Sequence, residues 1–236
     1  MLLLPCWEMI SPRLLLASLL TVSLNASAQE GSDKPPLKWE SSIAAFEARD
    51  ADSPPEKDTL LFVGSSSIRM WDLGTSWPEA ATVNNGFGGS TLADSIHYFD
   101  RLFTRYEPAA IVLYAGDNDI NKGLSPAEVA EDFKTLATLI SGEFPGVPVI
   151  YIAIKPSAAR WELWPEMKQA NDLVAALCKK HHYWHFADIA APMLKGQDGA
   201  PPARWFIEDG LHLSKFGYEE WTKIVKETIR KADVKG

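Results

Sequence analysis

Cysteine is nearly missing from this chain of 236 residues. Cys6 precedes an N-terminal apolar stretch and Cys178 stands alone in the remainder, so no internal disulfide staples the fold. Cys178 shares a helical apolar face with Leu173, Ala176 and Leu177, the setting of a small buried hydrophobe and not of a reactive thiol. Basic stripes are also lacking. A formal net charge of −8 and an isoelectric point near 5.2 exclude a groove for nucleic acid, which needs clustered Lys and Arg. The apolar run from Leu14 to Leu24 spans about a dozen residues, too few to cross a bilayer comfortably. One Arg precedes it and Ala26-Ser27-Ala28 follows, the layout of a removable secretory signal over residues 1–28. The expectation is an exported protein, periplasmic or extracellular, with no stable membrane anchor after cleavage. Internal repeats, low-complexity tracts and a second composition regime are absent as well, so one domain over residues 59–236 follows a tether and helix over residues 29–58.

What is present is an alternation of buried strands and helices. Leu60 to Ile68, LLFVGSSSI, runs four apolar residues into a glycine and three serines, a buried strand ending in a tight turn. Apolar runs recur in AAIVLYAG, in PVIYIAI from Pro148 to Ile154 and from Tyr183 to Ala187, with a very short strand in ATVNNGFGGST. Trp39, Ile43 and Phe46 mark a helix over residues 37–51, and Leu92 to Tyr106 reads as another. Ser125, Pro126 and Glu128 open a third helix with the cap, first-turn proline and capping carboxylate in sequence. Two more cover residues 166–181 and 214–231, and Thr75 to Ala81 reads as loop. This order predicts an α/β protein with a mostly parallel sheet and helices on both faces.

Polar side chains gather at the carboxyl ends of these strands, the edge where open α/β sheets bind ligands. A serine hydroxyl is a weak nucleophile unless a base lies beside it and a third group orients that base. Among five histidines, His212 lies in EDGLHLS, three residues after Asp209 and across a glycine turn that lets the carboxylate reach one ring nitrogen. His97 belongs to a helix surface. His181, His182 and His185 sit at a helix-to-strand junction, but no Cys, Asp or Glu joins them at ligand spacing until Asp188. Asp117, Asp119, Asn121 and Glu128 imitate a calcium loop, yet Lys122 occupies its glycine position and a strand enters where a helix is required. No metal or cofactor is expected. Donors for an oxyanion are the backbone N–H groups of Ser66 and Gly89 and the side-chain amide of Asn118, all at strand ends.

Four blocks, GSS, NNGFGGST, AGDND and DGLH, follow one another at these strand ends. In order and context they resemble the SGNH hydrolases, also called the GDSL-type esterase and lipase family, over about residues 59–221. The resemblance implies a flavodoxin-like three-layer α/β/α sandwich and metal-free hydrolysis of acyl esters. It makes Ser66 the nucleophile, His212 the base, Asp209 its orienting acid, and Gly89 and Asn118 oxyanion donors. Two positions depart from the family pattern: Ser65 stands where an aspartate is usual, and Asp117 replaces the commoner glycine before the asparagine. The serine run does not fit the G-x-S-x-G elbow of the α/β-hydrolases.

Substrate chemistry is read from the loop after the third long strand. Arg160, Trp161 and Trp164 lie there, and Trp205 lies near the DGLH loop. Aromatic faces beside a polar site suit stacking on sugar rings, so the expected substrate is a small ester or an acylated, in particular acetylated, carbohydrate. The alternatives are an exported carbohydrate-binding module of the same fold without turnover, and lysophospholipase or thioesterase activity.

Overall fold

The computed structural model describes residues 37–196 and 199–232. The expected signal at residues 1–28 and the tether at 29–36 lie outside them. A short 3-10 turn, Leu37–Trp39, leads into helix α1 (Glu40–Asp52). The chain continues as β1 (Thr59–Gly64), α2 (Ser66–Arg69), α3 (Leu73–Ser76), β2 (Thr82–Gly86), α4 (Leu92–His97) and α5 (Phe99–Leu102). Then come β3 (Pro108–Tyr114), α6 (Asp117–Asn121), α7 (Pro126–Glu143), β4 (Val149–Ile152) and α8 (Trp164–Cys178). Strand β5 (Trp184–Ala187), α9 (Ala190–Met193) and α10 (Lys215–Lys231) complete it. No helix among the described residues is long and apolar enough to cross a membrane.

The five strands form one sheet in the order β2-β1-β3-β4-β5, every pair parallel. Successive side chains of a strand point to opposite faces, and here both faces are covered. Leu61 and Val63 of β1 pack with α1, α7 and α8 through Ile43, Phe133 and Met167. Leu60 and Phe62 face the other way, toward Trp71 and Trp77 around α3 and Trp221 and Val225 of α10. This is the flavodoxin-like α/β/α sandwich that the family resemblance implies.

The helices form where local chemistry opens them. Ser125 and Glu128 cap α7 reciprocally, the serine Oγ accepting from the Glu128 N–H and the carboxylate accepting from the Ser125 N–H, with Pro126 in the first turn. Thr91 and Asp94 repeat the device on α4. Two expectations need correcting. The helix foreseen over residues 92–106 breaks at Tyr98, whose ring is buried edge-on against Phe87; the turn there also lets Leu102 and Phe103 reach the core. The loop foreseen from Thr75 holds the end of α3, which forms because the Asp72 carboxylate accepts from the Thr75 N–H.

Register decides where the site falls. Gly64 pairs with Gly86 on one side and Tyr114 on the other, so β1, β2 and β3 end level. The chain runs from β1 to β2 on one flank and crosses to β3 on the other, which makes the β1/β3 boundary the topological switch point. The serine turn, the glycine block and the asparagine block therefore leave the sheet side by side.

Trp221 is the largest fully buried side chain, and its indole N–H has no hydrogen-bond partner, so packing alone carries its contribution. Replacing Trp221 by Ala is expected to cost about 3–5 kcal/mol. The urea midpoint should fall with an unchanged slope.

Candidate active site

Gly64 sets up the serine turn. Its φ is +146°, and a Cβ there would lie 2.0 Å from the Tyr114 carbonyl oxygen. Only glycine tolerates both conditions, and the close approach lets the Ser65 N–H donate to that same carbonyl at 3.0 Å. The following serines then differ sharply. Ser65 and Ser67 are fully buried, whereas Ser66, the first residue of α2, is partly open to solvent. The Ser65 hydroxyl has no partner, and the Ser67 hydroxyl accepts from Lys155 Nζ at 3.3 Å.

His212 and Asp209 lie in a closed loop. Phe206 bridges Leu213 in antiparallel fashion, and the N–H groups of Ile207 and Gly210 donate to the carbonyls of His212 and Ile207. Gly210 adopts φ +65°, the left-handed turn that brings the Asp209 carboxylate under the backbone of the next two residues. Asp209 Oδ1 accepts from the N–H groups of Leu211 and His212, each at 2.9 Å, and Oδ2 lies 2.5 Å from His212 Nδ1. Burial pulls the Asp209 carboxyl upward, but the bonds from the His212 ring and the two N–H groups outweigh it and hold it at about 2. An ionised carboxylate only accepts, so the proton in that bond belongs to Nδ1 and Nε2 carries the free lone pair. Nε2 lies 3.0 Å from Ser66 Oγ.

The residues expected to meet an oxyanion come from the other two blocks. Gly89 adopts φ +80° in the turn after β2. Asn118 opens its amide between two neighbours, Nδ2 donating to the Ser90 carbonyl at 2.9 Å and Oδ1 accepting from Arg160 Nη2 at 3.0 Å. Asp119 joins the two blocks, its carboxylate accepting from the N–H of Gly116 and from the N–H of Leu92, both at 2.9 Å. Asp117, the departure from the family pattern, points inward. Its Oδ2 takes Lys155 Nζ at 2.9 Å and faces Arg160 Nη1 at 3.3 Å. Burial acts to raise the Asp117 carboxyl, but the charges of Lys155 and Arg160 prevail and keep it below its ordinary value. Burial likewise draws the Lys155 ammonium down, against the pull of Asp117.

A hydroxyl, an imidazole and a carboxylate in hydrogen-bonded series, beside a glycine turn and an asparagine amide, form an arrangement suited to acyl transfer. The profile of the GDSL-like Lipase/Acylhydrolase family matches residues 69–220. The chain belongs to that family. As a GDSL-type hydrolase it acts on ester bonds. The match begins just after Ser66 and includes Gly89, Asn118, Asp209 and His212. No curated protein matches the sequence. Among solved structures, a GDSL-like lipase from Bacteroides thetaiotaomicron superposes with a TM-score of 0.71 at 19% identity, covering 80% of this chain and 98% of that one. The lipase/acylhydrolase from Enterococcus faecalis gives 0.59 at 20% identity, covering 75% and 98%. An acetyl-xylooligosaccharide esterase from Geobacillus Stearmophilus gives 0.62 at 17% identity, covering 74% and 95%. At these identities the likeness is one of fold.

The residues expected to meet substrate in this hydrolase fare differently. Trp161 and Trp164 stay half-buried and stack at 6.4 Å with planes 7° apart. Trp205 is a correction: it is 3% exposed and packs edge-on against Phe216 beneath α10, so its ring offers no face to a ligand. Arg160 turns from the loop toward Asn118 and Asp117. Sequence reasoning overlooked Lys155 as a member of the site and Asp119 as the tie between blocks. A lysine directly after an apolar strand, followed by proline, was the available signal for the first. Among the described residues no group of three His, Cys, Asp or Glu side chains gathers as metal ligands.

Asp119 gives the site a pH signature in stability. Burial raises its carboxyl from 3.8 to about 6, despite the bonds from Leu92 and Gly116. An acid raised on folding holds its proton more tightly in the native state. Its stabilisation is therefore whole below 3.8 and lost as pH rises through about 6. Relative to Asp119→Asn, the wild type is expected to lose about 3 kcal/mol between acidic and neutral pH, at about 1.4 kcal/mol per pKa unit. Urea midpoints of both proteins across that range measure it.

Proposed function

We propose that this hydrolase is a serine esterase for short acyl esters, with acetylated carbohydrate or a small soluble ester as substrate, and that it works through an acyl-enzyme on Ser66. The observation that carries the reading is the 3.0 Å contact between Ser66 Oγ and His212 Nε2, with Asp209 on the far side of the ring. In this reading Ser66 Oγ attacks the ester carbonyl carbon while its proton passes to Nε2. The tetrahedral oxyanion is met by the N–H groups of Ser66 and Gly89 and by the Asn118 amide. Collapse breaks the ester C–O bond, and the departing alkoxide takes the proton from His212. Water then attacks the acyl-enzyme by the same route, releasing the acid and restoring Ser66.

Selection of Ser66 over its neighbours rests on exposure as well as distance. Ser65 and Ser67 are sealed from solvent. In purified protein, Ser66→Ala should abolish nearly all hydrolysis of a short aryl ester and all labelling by an organophosphonate. Ser65→Ala and Ser67→Ala should retain a substantial part of both. Equal loss in all three would defeat the assignment, and an unlabelled wild type would favour a binding module.

The partly exposed Trp161, stacked on Trp164, supports a sugar alcohol moiety with an apolar C–H face, and the fold neighbour described as an acetyl-xylooligosaccharide esterase agrees with that class. Acetate release from acetylated xylo-oligosaccharide is expected to exceed cleavage of long-chain esters. Trp161→Ala should raise KM for the sugar ester more than for an aryl acetate. Preference for long acyl chains would sink the sugar assignment. We further propose export of the mature chain, which N-terminal sequencing of material from the native host would test.

A further inference from the structure

Asn118 carries one feature that the ester chemistry alone does not explain. Its side-chain amide can present either its oxygen or its nitrogen to a neighbour, and the two ends have almost the same shape. Only the nitrogen end can donate to an oxyanion. The Ser90 carbonyl, which only accepts, and Arg160, whose guanidinium has five donors and no acceptor, remove the ambiguity together. With Nη2 3.0 Å away, only the amide oxygen can face it, and the nitrogen is turned to the Ser90 carbonyl side.

Arg160 is itself held from several directions. Its side chain is 14% exposed, and Nη1 faces Asp117 Oδ2 at 3.3 Å. Its backbone departs from helical geometry within the 3-10 stretch Ala158–Leu163, at φ −128° and ψ 29°. The preceding residue, Ala159, donates its N–H to the Gly210 carbonyl at 3.1 Å, in the loop that carries Asp209 and His212. Behind Asp117 stands Lys155, 1% exposed, whose three ammonium hydrogens meet three oxygens: Asp117 Oδ2 at 2.9 Å, the Tyr114 hydroxyl at 2.9 Å and the Ser67 hydroxyl at 3.3 Å. Two cations share the Asp117 carboxylate, so the guanidinium that meets the Asn118 amide is held by charge as well.

We propose that Arg160, anchored through Asp117 to the buried Lys155, is a positioning residue that fixes the orientation of the oxyanion donor Asn118; the inference rests on the esterase reading above. Arg160 then acts on turnover and not on substrate affinity.

The test is a double-mutant cycle on a short aryl acetate, with kcat and KM measured separately for the wild type, Arg160→Gln, Asn118→Ala and the double variant. Arg160→Gln should lower kcat roughly 10- to 100-fold with KM nearly unchanged. In the Asn118→Ala background the same change should cost less than about threefold, because the group it orients is gone. Guanidinium ion at a sub-denaturing concentration should restore part of kcat to Arg160→Ala and none to Asn118→Ala. Melting temperatures check folding, and where the glutamine variant does not fold, Arg160→Lys is measured in its place. Additive losses, or a KM increase at constant kcat, would overturn the proposal and make Arg160 a substrate contact. Full turnover in Asn118→Ala would overturn it while leaving the esterase reading intact. A wild type that neither hydrolyses the ester nor labels with phosphonate would remove both.

Discussion

A lysine ammonium sealed from water is the constraint around which the catalytic edge of the sheet is arranged. Lys155 follows β4, its partner Ser67 follows β1, and Tyr114 and Asp117 end β3 and open α6. One cation thus ties the carboxyl ends of three adjacent strands. Removing Lys155 or Asp117 alone leaves the other as an uncompensated buried charge, a penalty of about 3–5 kcal/mol, whereas the intact pair roughly balances its desolvation. The cluster therefore adds little to overall stability while it joins three strand ends at the rim where Ser66 stands.

The departure at position 117 becomes intelligible in this light. A glycine there would leave Lys155 and Arg160 without a counterion. The aspartate supplies one, and it does so from the backbone segment that carries Asn118. Position 65, where the family pattern has an acid, holds instead a buried hydroxyl with no partner. The carboxylate near the serine turn thus comes from the β3 side of the site.

Much of this was legible in the residues. Uninterrupted apolar runs announced strands buried on both faces, and punctuation such as Ser125-Pro126 with Glu128 marked helix starts, because both signals are local in the chain. Ser66, His212 and Asp209, which the family resemblance singles out, do come together at one sheet edge as a hydroxyl, an imidazole and a carboxylate in series. Trp205 was misread because proximity in sequence to a catalytic loop says nothing about which way a ring points. Its burial follows from α10 lying across it, a tertiary fact. The break at Tyr98 escaped for the same reason, since helical periodicity runs on through it. Arg160 and Lys155 form their pairs across 42 and 38 residues of chain, and no pattern within one segment reveals such a bond.

The loop that carries Asp209 and His212 closes on itself through the Phe206–Leu213 bridge and its internal N–H bonds. Its two ends are set in the core, where Phe206 and Leu213 are buried, and Ser66, the Ala159 N–H and Ser214, which donates to the Trp205 and Arg204 carbonyls, hold it from outside. A loop built this way sets the spacing of the Asp209 carboxylate from the His212 ring within four residues of chain, by bonds that no neighbouring segment has to supply.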